Sequence, residues 1–331
     1  MPCRRAVSVV VTVRNEVEAL PELLATLERQ IRPPDEVIIV DGGSADGTVP
    51  LLESYAGPLP LRWISASGSN ISMGRNLGIR SATGPIIAVT DAGVRLDERW
   101  LLELTKPYET DDRVEAVAGF FTPDPRTWFE AALSATTLPV AGEIRAASFL
   151  PSSRSVSFTK DVWVRAGGYP EWLDYCEDVV FDLRAKAVGA AFYWCPLAVA
   201  RFRPRRGLAA FFLQYWRYAR GDGKALLWTR RHLVRYGAYL SAVVGLVCGH
   251  NLPLQGVLLA ALLVAGAGYL RRPYAKLLPW LAGRPPAERV AAVAMAPLIR
   301  ITGDVAKMSG YPVGLWWRLA RRRQLGGWWP G

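Results

Sequence analysis

Residues 6–13 read Ala-Val-Ser-Val-Val-Val-Thr-Val, and residues 36–44 read Glu-Val-Ile-Ile-Val-Asp-Gly-Gly-Ser. Both are short, near-continuous β-branched runs, the pattern of strands buried on both faces of a parallel sheet. Between them, Glu16 to Gln30 carries leucines at 20, 23, 24 and 27, a helical stripe. Outward from this core the reading continues as helix at 46–54, a short strand at 61–64, helix at 72–81 and a strand at 85–90 that ends on Asp91. This β-α-β-α alternation specifies an α/β fold with a parallel sheet. Ligands of such sheets bind beyond the carboxyl ends of the strands, so Asp41 and Asp91 are expected to converge on one cleft. An Asp before Gly at a strand end is also an ordinary turn or cap residue, so neither aspartate decides anything alone.

Composition removes several classes of function. With 51% hydrophobic and 21% charged residues, the 331-residue chain is neither disordered nor of low complexity. Its four cysteines (Cys3, Cys176, Cys195, Cys248) lie at no metal-ligand spacing, which disfavours a disulfide framework and fits a reducing compartment. Only His232 and His250 are present, so zinc catalysis and a Ser-His-Asp triad start poorly. No GxGxxG follows the first strand and no GxxxxGK[ST] occurs, which disfavours dinucleotide and P-loop sites. The first strand instead runs into Thr12-Val13-Arg14-Asn15-Glu16.

Charge divides the chain. Residues 1–200 hold 19 Lys/Arg against 26 Asp/Glu, a net −7, whereas residues 201–331 hold 21 against 3, a net +18. A basic tail calls for an acidic partner, either nucleic acid or an anionic membrane. The charge-free runs 236–249 and 254–270, separated by His250, Asn251 and Pro253, favour lipid over nucleic acid. Arg230, Arg231 and Arg235 precede the pair; Arg271, Arg272 and Lys276 follow it. Positive charge at both outer ends predicts a membrane hairpin at 233–272 with both termini cytosolic. The competing reading is a helical hairpin buried in a soluble core. Beyond it, Trp316, Trp317, Arg318, Arg321 to Arg323, Trp328 and Trp329 suit a headgroup layer, giving an interfacial tail at 273–331. Met1 to Arg5 lead straight into the first strand, so no secretory leader is expected.

Five segments carry a resemblance: VSVVVTVRNE, DEVIIVDGGSADGT, GRNLGIRSATG, VTDAGV, and GGYPEWLDYCEDVVFDLRAKAVG. In this order and spacing the sequence resembles the family 2 glycosyltransferases, over about residues 6–205. The resemblance implies the GT-A fold, a Rossmann-like, mostly parallel sheet, and a nucleotide-sugar donor. It places Thr12, Arg14, Asn15, Glu16 and Asp41 at nucleotide-binding positions, with Asp41 on the base. Arg14 stands where the family often has an aromatic residue. Arg75 and Asn76 match an RN pair close to the diphosphate. Asp91 matches the first residue of the DXD motif, which commonly holds a divalent metal, Mg or Mn. Here the motif reads Asp91-Ala92-Gly93, so the second carboxylate is missing and the metal set is incomplete. Arg75, Arg203, Arg205, Arg217 and Arg220 are candidates to share the diphosphate charge.

Glu177-Asp178 resembles the family's ED motif, which makes Asp178 the base that deprotonates the acceptor hydroxyl in an inverting transfer. A carboxylate pair at a helix start is also favoured by the helix dipole alone. Gln214-Tyr215-Trp216-Arg217-Tyr218 resembles QxxRW, with Tyr218 in place of Trp. Gln214 and Arg217 share one helix face, and Leu208, Phe211, Phe212, Tyr215 and Ala219 make an apolar stripe on another. The expected organisation is a catalytic domain at 1–205, an interfacial helix at 206–232, the hairpin at 233–272 and the tail. The expected activity is sugar transfer to a lipid-linked or glycan hydroxyl, with the catalytic domain cytoplasmic at the inner cell membrane. A polyprenyl-phosphate sugar synthase and a catalytically inactive nucleotide-sugar-binding scaffold are the alternatives.

Overall fold

The β-branched run at residues 6–13 folds as β1 (Val7–Val13), the centre of the sheet. A computed structural model describes residues 4–248 and 252–321. Around β1 follow α1 (Leu20–Glu28), β2 (Glu36–Asp41), α2 (Thr48–Glu53), β3 (Leu61–Ser65), α3 (Ile71–Ser81) and β4 (Ile86–Asp91). Next come β5 (Val94–Leu96), α4 (Trp100–Thr105), α5 (Pro107–Thr110) and β6 (Ala116–Pro123). Then α6 (Trp128–Thr137), β7 (Val156–Thr159), α7 (Lys160–Arg165), α8 (Glu177–Ala187) and β8 (Phe192–Phe202) complete the order. The sheet order is β3-β2-β1-β4-β7-β6-β8-β5. Strands β3, β2, β1 and β4 are parallel, but β7 runs antiparallel to both β4 and β6, and β5 antiparallel to β8. The sheet is therefore mixed but mostly parallel: β6 and β8 run with the first four strands, and only β7 and β5 oppose them.

The alternation along β1 explains the two cores. Val7, Val9, Val11 and Val13 face the leucines of α1 and the Trp100–Leu104 side of α4. Val10 faces the opposite layer, with Ile38, Ile79, Phe158 and Phe181. Period 2 along the strand thus feeds both faces, as a doubly covered sheet demands. Helix α1 starts at Leu20 rather than near Glu16. Asn15 adopts a left-handed φ of 58°, and the Ala19 and Leu20 N–H groups donate to the Glu16 carbonyl, so a turn occupies the first stretch.

Two compact units divide the described chain. The first holds the sheet, residues up to 124 and 140–203; the second holds residues 125–139 and those from 204 onward. This corrects the expected continuous domain at 1–205. Helix α6 buries Phe129, Ala132 and Leu133 in a cluster with Phe211, Leu277, Leu281, Ala292 and Ile299, which belong to the C-terminal helices. Burying that apolar face outweighs chain proximity to the sheet.

The second unit adds α9 (Leu208–Ala225), α10 (Thr229–Cys248), α11 (Leu252–Leu281) and α12 (Pro286–Ala320). Among the described residues no helix is long and apolar enough to cross a membrane. Of the expected joint, His250 and Asn251 lie outside the described residues, as do Arg322, Arg323, Trp328 and Trp329 of the tail, while Pro253 falls in the first turn of α11. The apolar stripe on α9, read as facing a membrane interface, instead packs within the unit. Phe211 and Ala219 are buried, and glycines of α12 let the two backbones approach. A Cβ on Gly310 would lie 2.3 Å from the Trp216 carbonyl oxygen, and one on Gly314 would lie 2.0 Å from that of Arg220. Only glycine permits this separation.

Candidate active site

Strand register places the two aspartates. Asp91 on β4 pairs with Thr12, and Asp41 on β2 pairs with Val13, so they flank the carboxyl end of β1 one strand away on either side. At the usual strand spacing their backbones lie roughly 10 Å apart. Both therefore stand at the carboxyl edge of the sheet, on either side of β1.

Their side chains do different things. The Asp41 carboxylate is buried and accepts the Gly43 N–H at 2.9 Å, the Ser44 N–H at 3.1 Å and the Ser44 hydroxyl at 2.5 Å. It ties its own Gly42-Gly43-Ser44 turn, a structural task that the family resemblance does not assign to it. Around it the first-strand loop is fastened to the same turn. The Asn15 N–H donates to Ser44 Oγ at 2.8 Å, Asn15 Oδ1 accepts the Ala45 N–H at 2.9 Å, and the Glu16 N–H donates to Thr48 Oγ1 at 2.9 Å. Arg14 is exposed beside them and Thr12 half-buried.

Arg75 is the organising residue of the other half. It lies 2% exposed on α3 and forks between two carboxylates. Its Nη1 donates to Glu177 Oε1 at 2.5 Å, its Nη2 to Asp91 Oδ1 at 2.9 Å, and its guanidinium lies 5.3 Å from the Tyr169 ring centroid. Burial opposes its charge, but Glu177 and then Asp91 outweigh burial and hold its pKa above the ordinary value. The position expected to meet a diphosphate is therefore engaged as a bridge from the sheet to α8. Neighbouring Asn76 is also engaged. Its Nδ2 donates to the Tyr169 carbonyl and to Glu171 Oε1, while its Oδ1 accepts the Trp163 indole N–H and the Tyr169 N–H. These four bonds use the amide's full pairing capacity, so Asn76 anchors the Gly167–Trp172 loop and is not free for a donor.

At the start of α8 the acidic pair splits. Cys176, in the left-handed region at φ 64°, turns the chain into the helix. Glu177 points inward to Arg75. Burial, opposed by Arg75 and reinforced by Asp178, pushes its carboxyl up to about 7. Asp178 is half-buried, and its Oδ1 accepts the Val179 N–H at 2.8 Å. One turn on, Asp182 is buried with Oδ2 lacking a hydrogen-bond partner, and burial, reinforced by Asp178, drives its pKa well above the carboxylate range.

Residues beyond the sequence reading complete the site. Arg154 Nε approaches Asp91 Oδ2 at 3.6 Å, and its guanidinium lies 4.7 Å from the Phe202 ring centroid. The antiparallel return of β7 brings it there, with Thr90 Oγ1 donating to the Arg154 carbonyl. Nothing in the local pattern around Arg154 marks it; only the pairing of β7 with β4 does. Among the described residues no three His, Cys, Asp or Glu side chains converge as a metal cluster. Asp91 is one partly exposed carboxylate facing two arginines. Such a donor set fits a metal that arrives with a diphosphate, not one held by protein alone. Gln214, Arg217 and Arg220 lie on α9 in the second unit. Gln214 donates to the Tyr218 hydroxyl at 2.8 Å, so that tyrosine, standing where the motif has Trp, pairs with the glutamine one turn before it.

Residues 8–155 match the model for glycosyl transferase family 2. That match covers a little under half of the chain, and over it the chain is similar to that family. Among solved structures, the chain is similar to the mannosyltransferase PcManGT of Pyrobaculum calidifontis, in complex with GDP-Man and Mn2+. The two share 21% identity with a TM-score of 0.53, over 97% of this chain and 88% of that one. This likeness shows a shared α/β fold. Among curated relatives, the glycosyltransferase AglE of Haloferax volcanii is 29% identical over 198 residues, 55% of this chain and 62% of its own. The uncharacterized glycosyltransferase YfnE of Bacillus subtilis is 31% identical over 116 residues, 34% of this chain. The chain spans 29% of YfnE's length.

Proposed function

We propose that the protein transfers a sugar, with inversion, from a nucleotide-sugar donor to an acceptor hydroxyl. The observation that carries this reading is the split acidic pair. Asp178 stands half-exposed at the sheet's carboxyl edge, while Glu177 is drawn inward by the Arg75 fork to Asp91. The GDP-Man bound by the Pyrobaculum mannosyltransferase supports the donor class.

In the proposed step the acceptor oxygen attacks the anomeric carbon as its proton passes to an Asp178 carboxylate oxygen. The anomeric C–O bond to the diphosphate breaks, and the nucleoside diphosphate leaves with the bonding pair. A single in-line displacement inverts the anomeric centre. Arg154 and Arg75 flank Asp91, where the diphosphate's negative charge would fall, and favour the leaving group electrostatically. A Mg or Mn ion arriving with the donor would find Asp91 as its protein ligand and would neutralise diphosphate charge. Asp41, Asn15 and Ser44 hold the loop that faces the base, and Arg14 is the exposed side chain able to stack on it.

The acceptor is proposed to be lipid-linked or a glycan, at the cytosolic face of the inner membrane. Large apolar side chains are exposed on α10 and α11, among them Leu233, Val234, Val247, Leu263 and Val264 at 64–74%. With the arginines that flank this pair, such a surface suits contact with lipid. A donor screen on the purified full chain in detergent, with and without chelator, tests the function through release of nucleoside diphosphate. Donor binding without release in the presence of lipid and glycan acceptors would favour the inactive scaffold instead.

A further inference from the structure

Inside the helical unit, a cavity of about 50 Å³ is bounded by Thr136, Thr137, Tyr215, Arg300, Asp304 and Lys307. Its charges do not balance. Asp304 is buried and already taken up: it accepts Arg235 Nε at 2.8 Å and the hydroxyls of Tyr239 and Tyr269 at 3.1 and 2.6 Å. Asp222 lies with His232, at 3.3 Å. Arg300 and Lys307 are held instead by aromatic faces. The Arg300 guanidinium lies 4.5 Å from the Tyr269 ring centroid, and the Lys307 ammonium 5.0 Å from that of Tyr215. Ring faces attract a cation but accept no strong hydrogen bond, and Arg300 Nε is buried with no partner. Enclosing cations on these terms is costly unless an anion joins them.

We propose that this cavity is an anion site that takes a phosphate group, either free phosphate or the phosphate of a lipid headgroup, between Arg300 and Lys307. The volume exceeds by several-fold the roughly 10–15 Å³ that one water needs, so an oxyanion has room. Arginine presents a fork suited to two phosphate oxygens and lysine a point charge. Burial, and then the repulsion of Arg235, bring the Lys307 pKa down to about 8, against the pull of Asp304. A bound anion would reverse that shift. The site lies wholly in the helical unit and does not depend on the transferase reading.

The test uses the full chain in detergent. Its unfolding midpoint is followed while sodium phosphate replaces sodium chloride at constant ionic strength, and separately while short-chain phosphatidylglycerol replaces phosphatidylcholine. Phosphate or phosphatidylglycerol should raise the midpoint, and the stronger response identifies the source. Arg300→Gln and Lys307→Met should each weaken the apparent affinity by about tenfold or more, the loss of one charge-assisted hydrogen bond. Arg231→Gln, an exposed arginine of the same unit, should behave as the wild type. If Arg300→Gln and Lys307→Met fail to fold, the wild-type response against chloride decides. No response of the wild type to either probe, or equal responses in wild type and both variants, overturns the proposal.

Discussion

Replacing Arg75 by Met removes the guanidinium that joins Asp91 to Glu177 while keeping much of its apolar volume. Glu177 is then a buried carboxylate without its 2.5 Å partner, whereas Asp91, 29% exposed and still 3.6 Å from Arg154, loses little. Breaking a buried pair from one side costs about 3–5 kcal/mol, because the charge left behind is neither solvated nor compensated. The penalty should depend on pH in a defined direction. Glu177 already titrates near 7 in the native protein, raised by burial above its ordinary 4.5 and restrained by Arg75. A native carboxyl with a raised pKa binds more protons than the unfolded chain between those values, so its contribution to stability is lost as pH rises through that window. Without Arg75 the native pKa moves higher, and the deficit of the variant should grow from pH 6 to pH 8. Adding Glu177→Gln removes the stranded charge and should recover most of the loss. Arg75→Lys, a point charge that cannot fork to both carboxylates, should fall between. Urea unfolding of the full chain, followed by tryptophan fluorescence at several pH values, measures all of this. A deficit below about 1 kcal/mol at pH 8, or one that does not change with pH, would refute the bridge.

Asp178→Asn should leave donor affinity close to wild type and lower turnover by about 10²–10⁴-fold; a variant keeping a tenth of wild-type turnover, where chemistry limits, removes Asp178 as the base. Asp41→Ala deprives Gly43 and Ser44 of their acceptor, so it should cost about 1–3 kcal/mol in stability and weaken donor binding only through the loosened loop. Unchanged unfolding with sharply weakened nucleotide binding would instead make Asp41 a direct contact. Gly314→Ala forces a Cβ to within 2.0 Å of the Arg220 carbonyl oxygen and should destabilise the helical unit by about 1–3 kcal/mol. An unfolding midpoint equal to wild type would show that α9 and α12 do not pack so closely in solution.

Periodicity revealed the parallel half of the sheet because burial on both faces leaves a continuous β-branched run, and strand ends followed from it. Asp41 and Asp91 beside Val13 and Thr12 were legible for that reason. What each side chain does there was not. Asp41 turned out to hold its own turn, and Asn76 to hold a loop some ninety residues later through Trp163, Tyr169 and Glu171. One of the two partners of Arg75, Glu177, lies 102 residues away. Such pairings depend on how helices dock on the sheet, and no local spacing encodes them. Arg154 was hidden because an antiparallel strand in an otherwise parallel pattern carries no marker of its own. The insertion of α6 was hidden because its apolar face has the same composition whether it covers the sheet or other helices.

The acidic pair shows how one motif acquires two roles. Glu177 and Asp178 are adjacent, so on a helix they point about 100° apart. The left-handed Cys176 sets where the helix begins and therefore which of the two meets Arg75. Glu177 enters the protein, where burial brings it near neutrality and the guanidinium fixes its place. Asp178 keeps contact with solvent, with the buried Asp182 one turn beneath it. Of the three acids of α8, only Asp178 thus keeps contact with solvent, which is the condition its proposed role as base requires.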